Sequence, residues 1–215
     1  MKKKCILFDW GNIVESHYTG YSCYKAWDDL LNKCGYKGKV SLLDFIHKYR
    51  LNYISNMDEF EKVFEKMSKD NNFIVSFSEF INLYRSIFSK VDYFKEVALF
   101  EESLKDKCYI GIFSNLCFLD RERLEKQVDL EKYDYLFFSY ELGLEKPDLE
   151  IFLNVSKKLP FDKKDILFID DSKDNIDMAK KIGWNTLLCT GLDLDKIKDE
   201  CLKFIGGKYY ENIFS

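Results

Sequence analysis

The sequence predicts an α/β protein: a Rossmann-like doubly wound parallel sheet with an α-helical cap subdomain inserted into it. Three observations lead there. From residue 92 onward, short apolar runs alternate with helical stretches, the pattern of a parallel sheet covered on both faces. One more apolar run, Cys5-Ile6-Leu7-Phe8, stands alone near the N-terminus and has only that sheet to pair with. Between the two, roughly 70 residues read as consecutive helices with no strand signal.

Taken in order, the first strand ends at Asp9 and breaks into a turn at Gly11-Asn12. After the polar stretch His17-Tyr18-Thr19-Gly20, the residues Tyr24, Trp27, Leu30, Leu31 and Cys34 recur at helical intervals until Gly35 stops them. Leu42, Leu43, Phe45, Ile46 and Tyr49 follow Ser41 as a second stripe, and Phe60, Val63, Phe64 and Met67 form a third. Phe77, Phe80, Ile81, Tyr84, Ile87 and Phe88 form a fourth, with Ser78 as the expected N-cap. These stripes read as helix-packing surface. The aromatics Tyr18, Tyr21, Tyr24, Trp27, Tyr49 and Tyr53 suit either core or pocket, and Asp44, Asp58 and the Lys/Glu runs read as surface.

An amphipathic helix is expected over 92–107 and a strand over 108–113, ending in Ser114-Asn115. A polar helix over 119–127 and a strand over 135–139 follow. Pro147 is expected in the first turn of a helix, where it costs no hydrogen bond. A strand over 166–169 ends in Asp170-Asp171, and a helix over 175–182 stops at Gly183 as a C′ glycine. The last strand, 186–189, precedes a tail helix from Asp193. The expected division is a core of 1–16 and 91–215 with a cap of 17–90 inserted after strand one. The cap should lie over the C-terminal edge of the sheet, where open α/β sheets place their sites.

Composition narrows the function classes. With 215 residues, the chain fits one domain or one core with an inserted subdomain and is long enough to bury roughly 70% of its unfolded surface. Apolar residues make up 47% and charged residues 33%, so the chain is globular. The net charge of −4 has no basic clustering, which excludes a dedicated nucleic-acid surface. Met-Lys-Lys-Lys resembles the start of a signal peptide, but the apolar run behind it is too short. No run of about 18 apolar residues exists, which argues against a membrane span. The seven cysteines contain no Cys-x-x-Cys pair and read as reduced thiols in a cytoplasm. Two widely separated histidines make a His-rich zinc site a poor fit.

The polar residues beyond the apolar strands carry the chemistry. Asp9 follows the first, Ser114-Asn115 the second and Asp170-Asp171 the fourth, and a parallel sheet brings all of them to one edge. Lys146, just before Pro147, belongs on that edge too. Three carboxylates in one cleft repel unless a cation neutralises them. All-oxygen ligation favours Mg²⁺, held by carboxylates, waters and substrate phosphate. A hydroxyl, an amide and a lysine suit phosphoryl oxygens, and a carboxylate can attack phosphorus to give an aspartyl-phosphate. The pattern therefore points to Mg²⁺-dependent phosphoryl transfer through Asp9.

Phe8-Asp9-Trp10-Gly11-Asn12-Ile13, Phe113-Ser114-Asn115, Glu145-Lys146-Pro147-Asp148 and Phe168-Ile169-Asp170-Asp171-Ser172-x-x-Asn175 resemble, in order, motifs one to four of the haloacid dehalogenase superfamily. The helical insertion is similar to that family's C1 cap, which implies a small-molecule phosphorylated substrate. The resemblance implies Asp9 as nucleophile and Mg²⁺ ligand, with the Gly11 carbonyl as a second ligand. It implies that Asp171 binds the metal directly and Asp170 directly or through water. Ser114, the Asn115 backbone and the turn at Trp10-Gly11 would hold the phosphoryl group, Lys146 would bridge it and Asp9, and Asn175 would orient the acidic pair or metal-bound water.

One position departs from that pattern. Most phosphatases of the family carry a second Asp two residues after the nucleophile, as proton donor and base; here it is Gly11. General acid–base catalysis contributes about 10² to 10⁴ in rate, so Gly11→Asp is expected to raise turnover. Glu15 and His17 stand close behind the turn as candidate substitutes, although both read on balance as solvated loop residues. The Asp-x-Gly-Asn form resembles a branch that includes sugar-1-phosphate phosphatases, which places sugar phosphates among the candidate substrates. Two alternatives are a degenerate binding or regulatory module, resting on Gly11, and a haloacid dehalogenase, which would not need the doubled carboxylate.

Overall fold

The computed structural model describes residues 4–38 and 41–206. The parts of the expected core at 1–3 and 207–215, and of the expected cap at 39–40, lie outside the described residues. Five strands form one parallel sheet: β1 (Cys5–Phe8), β2 (Tyr109–Ser114), β3 (Tyr135–Phe138), β4 (Ile166–Asp170) and β5 (Asn185–Leu188). Their spatial order is β3-β2-β1-β4-β5. The chain thus winds outward from β1 on one side, then returns to place β4 on the other. β1 and β4 flank the point where the winding reverses, the crevice at which open α/β sheets bind ligands.

β1 lies between two neighbours, with Phe8 opposite Ile112 on one side and Ile169 on the other. Both of its faces are covered, which is why it is apolar at every position. Ile6 and Phe8 pack into one cluster with Ile112, Leu124 and Ile197, whereas Cys5 and Leu7 pack into the opposite one with Phe152, Phe168 and Ile176. Helices α5 (Lys95–Ser103), α6 (Phe118–Gln127) and α10 (Leu194–Ile205) contribute to the first face. Helices α8 (Leu149–Lys158) and α9 (Lys173–Lys181) contribute to the second. A short helix, α7 (Ser139–Leu142), follows β3 directly.

The inserted segment contains α1 (Cys23–Lys33), α2 (Leu42–Tyr49), α3 (Met57–Asn71) and α4 (Phe77–Phe88). Their apolar stripes meet in a separate cluster built from Trp27, Phe45, Phe60, Phe64, Phe80 and Tyr84, among others. The chain leaves and returns side by side: the Ser16 N–H donates to Asp92 O at 2.9 Å and the Phe94 N–H to Val14 O at 2.7 Å.

Some local expectations need correction. The N-cap of α4 is Ser76, not Ser78; it forms a capping box with Glu79, and Ser78 lies inside the helix. Pro147 does not sit in a helical turn: α8 begins at Leu149, with Asp148 as its N-cap residue. The helix expected over 92–107 shortens to α5, because residues 92–94 return the insertion and 104–107 lead into β2. None of the seven cysteines forms a disulfide. Among the described residues, no helix is long and apolar enough to cross a membrane.

Glu101 of α5 is fully buried, accepts a hydrogen bond from the Tyr133 hydroxyl and lies 3.7 Å from Lys132 Nζ. Burial outweighs Lys132 and pushes its carboxyl up to about 7. A carboxyl whose folded pKa is raised binds more protons folded than unfolded, so stability falls as pH rises from its unfolded value towards 7. The melting temperature is expected to fall between pH 5 and 8, with Glu101 contributing up to about 3 kcal/mol. Glu101→Gln, which keeps an acceptor for Tyr133, should flatten that slope; an unchanged slope in thermal melts would exclude this origin.

Candidate active site

The ends of β1, β2 and β4 bring Asp9, Ser114 and Asp170 to one edge of the sheet, with Asp9 and Asp170 on either side of the winding reversal. The Asp9 N–H still continues the ladder to Ile169 O at 2.8 Å. The next residues turn away: the Asn12 N–H donates to Glu15 O at 2.7 Å, with Asn12 in the left-handed region at φ 56°. Asparagine tolerates that conformation better than most residues.

Lys146 is central to the cluster. Its Nζ lies 2.9 Å from Asp9 Oδ1 and 2.7 Å from Asp170 Oδ2, and donates to Phe113 O at 2.8 Å. The Asn115 side chain fixes its backbone: Nδ2 donates to Lys146 O at 2.8 Å and Oδ1 accepts from the Lys146 N–H at 2.9 Å. Burial alone would lower the Lys146 pKa, but the carboxylates of Asp170 and Asp9 outweigh it and raise it. Asp9 Oδ1 also accepts from the Trp10 N–H at 2.8 Å. This leaves Oδ2 as the oxygen with no hydrogen-bond partner among the described residues.

Asp170 and Asp171 differ in environment. Asp170 is fully buried, and both oxygens are engaged: Oδ1 by the Ser172 N–H at 2.7 Å, Oδ2 by Lys146, and both by Asn175 Nδ2 at 3.1 and 2.9 Å. Asp171 is only partly buried and takes one side-chain bond, from Asn12 Nδ2 at 2.9 Å. Burial, reinforced by the charge of Asp9, raises the pKa of both. Oxygens of Asp9, Asp170 and Asp171 all lie within 4.8 Å of one another. Three carboxylates facing one ammonium form an oxygen donor set with surplus negative charge, which fits a small divalent cation such as Mg²⁺.

A pocket of about 200 Å³ opens onto this cluster and includes Asp9, Gly11, Ser114, Asn115, Lys146 and Asn175 in its lining. The structure thus brings together the residues expected from the strand ends. Trp10 contributes differently: its indole is fully buried in the core, so only its backbone reaches the site.

The solvated reading of Glu15 and His17 does not hold. Glu15 is buried and paired with Arg123, Nε to Oε2 at 2.8 Å, while Arg123 Nη2 donates to Glu15 Oε1 at 3.1 Å. Burial pushes Glu15 up to about 7 despite that guanidinium. His17 is partly buried against the turn, its Nε2 3.8 Å from Glu15 Oε1. Desolvation outweighs the pull of Asp9 and lowers its imidazole to about 4, so it is neutral at pH 7. A Cβ added to Gly11 would lie 2.5 Å from His17 Cε1 and 2.8 Å from Nε2. The space beside Gly11 is therefore occupied by the imidazole.

Sequence reasoning missed Arg123 and Asp120. Arg123 Nη2 donates to Asp120 Oδ1 at 3.1 Å, and the Tyr84 hydroxyl of α4 donates to the same oxygen at 2.6 Å. An Asp and an Arg three apart on a polar helix look like a surface pair, and nothing local reveals that this pair is covered by the inserted helices. Asn12 could have been found, since it stands in the turn just after the nucleophile candidate.

Comparison with known proteins gives a consistent result. A model of the haloacid dehalogenase-like hydrolase family matches residues 6–189. Among solved structures, the chain is similar to a HAD family enzyme of Bacteroides thetaiotaomicron in complex with magnesium and inorganic phosphate. The TM-score is 0.71 at 18% identity, covering 99% of this chain and 100% of that one. It is also similar to the L-2-haloacid dehalogenase PA0810, with a TM-score of 0.61 at 12% identity, covering 86% and 83%. A 65-residue stretch is 35% identical to drimenol cyclase drtB of Aspergillus calidoustus; it is 30% of this chain and 12% of that protein's length.

Proposed function

The chain belongs to the haloacid dehalogenase-like hydrolase family, and from that premise we propose that it is a Mg²⁺-dependent phosphatase. It would cleave a small phosphorylated metabolite through an aspartyl-phosphate on Asp9, beneath a cap formed by residues 17–90. The observation that carries this reading is the buried Lys146 ammonium bonded to both Asp9 and Asp170, with Asp171 beside them. A dehalogenase would have no need of that further carboxylate, which favours the phosphatase. The retained Lys146–Asp9 pairing argues against a degenerate module.

In this reading Asp9 Oδ2 attacks phosphorus while Lys146 and the Trp10 N–H hold Oδ1 and so fix the carboxylate's orientation. A bond forms from Oδ2 to phosphorus, the ester P–O bond breaks, and the departing alcohol oxygen takes a proton from water. Ser114 and the backbone at Asn115 bind the phosphoryl oxygens, and Lys146 offsets charge that develops on them. Water then hydrolyses the acyl phosphate, releasing inorganic phosphate and regenerating Asp9. Asp9, Asp171 and the Gly11 carbonyl would hold Mg²⁺, with Asp170, already fully bonded, reaching it through water. Bound there, the ion would neutralise the carboxylates and the incoming phosphate. The test is Mg²⁺-dependent hydrolysis of p-nitrophenyl phosphate by the full chain, abolished by EDTA and by Asp9→Asn; turnover that survives either would refute it.

The expected gain from Gly11→Asp is revised by the imidazole beside that position. The single substitution should leave turnover unchanged or lower it, because the new side chain must first displace His17. Gly11→Asp combined with His17→Ala has the space it needs and should exceed Gly11→Asp alone by about 10-fold or more, within the range of general acid–base catalysis. Equal kcat in the two variants would show that space at residue 11 is not limiting.

A further inference from the structure

Resting on the phosphatase reading, we propose that the leaving group is a compact, predominantly apolar alcohol rather than a sugar. Beyond its phosphoryl end, the pocket is walled by Trp27 of α1, Leu43 and Ile46 of α2, Leu51, Phe60 of α3 and Leu116. α2 carries one broad apolar arc. Phe45 and Tyr49 are buried in the cluster of the inserted helices, Ile46 packs against that cluster and also lines the pocket, and Leu43, at the edge of the arc, lines the pocket. Leu43 is 51% exposed. The exposed edge of that arc, lining the pocket that opens onto the phosphoryl cluster, is surface that a bound apolar group would cover.

The polar side chains in the wall are mostly committed elsewhere. Glu15, Arg123 and Asp120 bond one another, and Asp120 also holds Tyr84. Asn52 Nδ2 donates to Glu145 Oε2 at 3.3 Å, and the Asn115 amide is used at both ends by Lys146. His17, His47, Asn52 Oδ1 and one buried guanidinium nitrogen, Arg123 Nη1, are what is left to meet a ligand. A hexose would bring several hydroxyls into a pocket with few partners for them, and an unpaired buried hydroxyl is costly. The volume of about 200 Å³ lies below the roughly 300–1,000 Å³ of sites for drug-sized ligands, which favours a single ring or short branched chain. This revises the expectation of a sugar phosphate. Water remains the second substrate, and the products are the alcohol and inorganic phosphate.

Two monophosphates with the same ring–CH₂–O–P framework decide the matter: cyclohexylmethyl phosphate and glucose 6-phosphate, both esters of a primary alcohol on a six-membered ring. With the full chain and Mg²⁺, kcat/KM for cyclohexylmethyl phosphate should exceed that for glucose 6-phosphate by about 100-fold, the scale of discrimination set by unpaired polar groups and lost apolar contact. Leu43→Ser and Ile46→Thr, both at positions that are not fully buried, should each reduce that ratio by about fivefold. A ratio of one or less, or a ratio that neither folded variant moves, overturns the inference. Hydrolysis of p-nitrophenyl phosphate but of neither test ester also overturns it while leaving the phosphatase reading intact. No Mg²⁺-dependent hydrolysis of any of the three overturns that reading, and the inference with it.

Discussion

Asp9→Asn is expected to cut Mg²⁺-dependent hydrolysis of p-nitrophenyl phosphate to below about a thousandth of the parent rate, with the fold retained. Loss of a catalytic nucleophile can cost about 10⁶ in kcat, and an amide cannot form the aspartyl ester. The substitution is nearly isosteric. The Asn carbonyl oxygen can still accept from Lys146 Nζ and the Trp10 N–H, which now reach Oδ1 at 2.9 and 2.8 Å. It also removes one of three crowded carboxylates, so the melting temperature of the apo chain should not fall. The informative pair of measurements is therefore steady-state turnover and a thermal melt on the same preparation. Residual activity above about a tenth, in a folded variant, would move the nucleophile away from Asp9. An acid-stable, hydroxylamine-labile phosphoryl adduct on the parent chain, absent from the variant, would place it there.

The sequence reveals this part of the site because the backbone alone decides it. An apolar run buried on both faces ends where the chain leaves the sheet, so the polar residue after Phe8, Phe113 or Ile169 must stand on the rim. Parallel pairing then brings the three rims together without any side-chain contact having to be known. Residues that depend on how the inserted helices lie over the core are not readable in this way. Glu15 reads as one more acid in a polar turn until Arg123 is seen beside it. His17 has no sequence relation to Gly11 that would place its imidazole against that glycine. Leu43 and Phe45 look alike in an apolar stripe, yet one lines the pocket and the other is buried among the inserted helices. Periodicity records that a helix has apolar positions; which edge of the apolar arc is left uncovered is known only once its neighbours are placed.

Lys146→Met carries the second large effect, and it should appear in stability as well as in rate. The ammonium is buried with Asp9 at 2.9 Å and Asp170 at 2.7 Å. Met fills much of the volume but supplies no charge, so both carboxylates lose their cation. Breaking a buried pair by removing one partner costs about 3–5 kcal/mol when the remaining charge stays uncompensated. Asp170 can escape part of that cost by taking up a proton, since burial already raises its pKa and the lysine was the largest influence opposing that rise, ahead of the Ser172 N–H. The sign follows from this uptake. A carboxyl whose folded pKa lies above its unfolded value gives stability that is complete at low pH and is lost as pH rises through the folded value. Lys146→Met should therefore melt closer to the parent at pH 5 than at pH 8, with the gap widening as pH rises. Mg²⁺ should narrow the gap at pH 8 by supplying positive charge to the same oxygens, because a ligand that binds only the folded state stabilises it. Turnover should fall about 10³-fold and should not be recovered by Mg²⁺, since the cation does not replace the donor that holds Asp9 Oδ1. A variant that melts with the parent at pH 8, or whose deficit is the same at pH 5, would show that the ammonium does not balance these carboxylates.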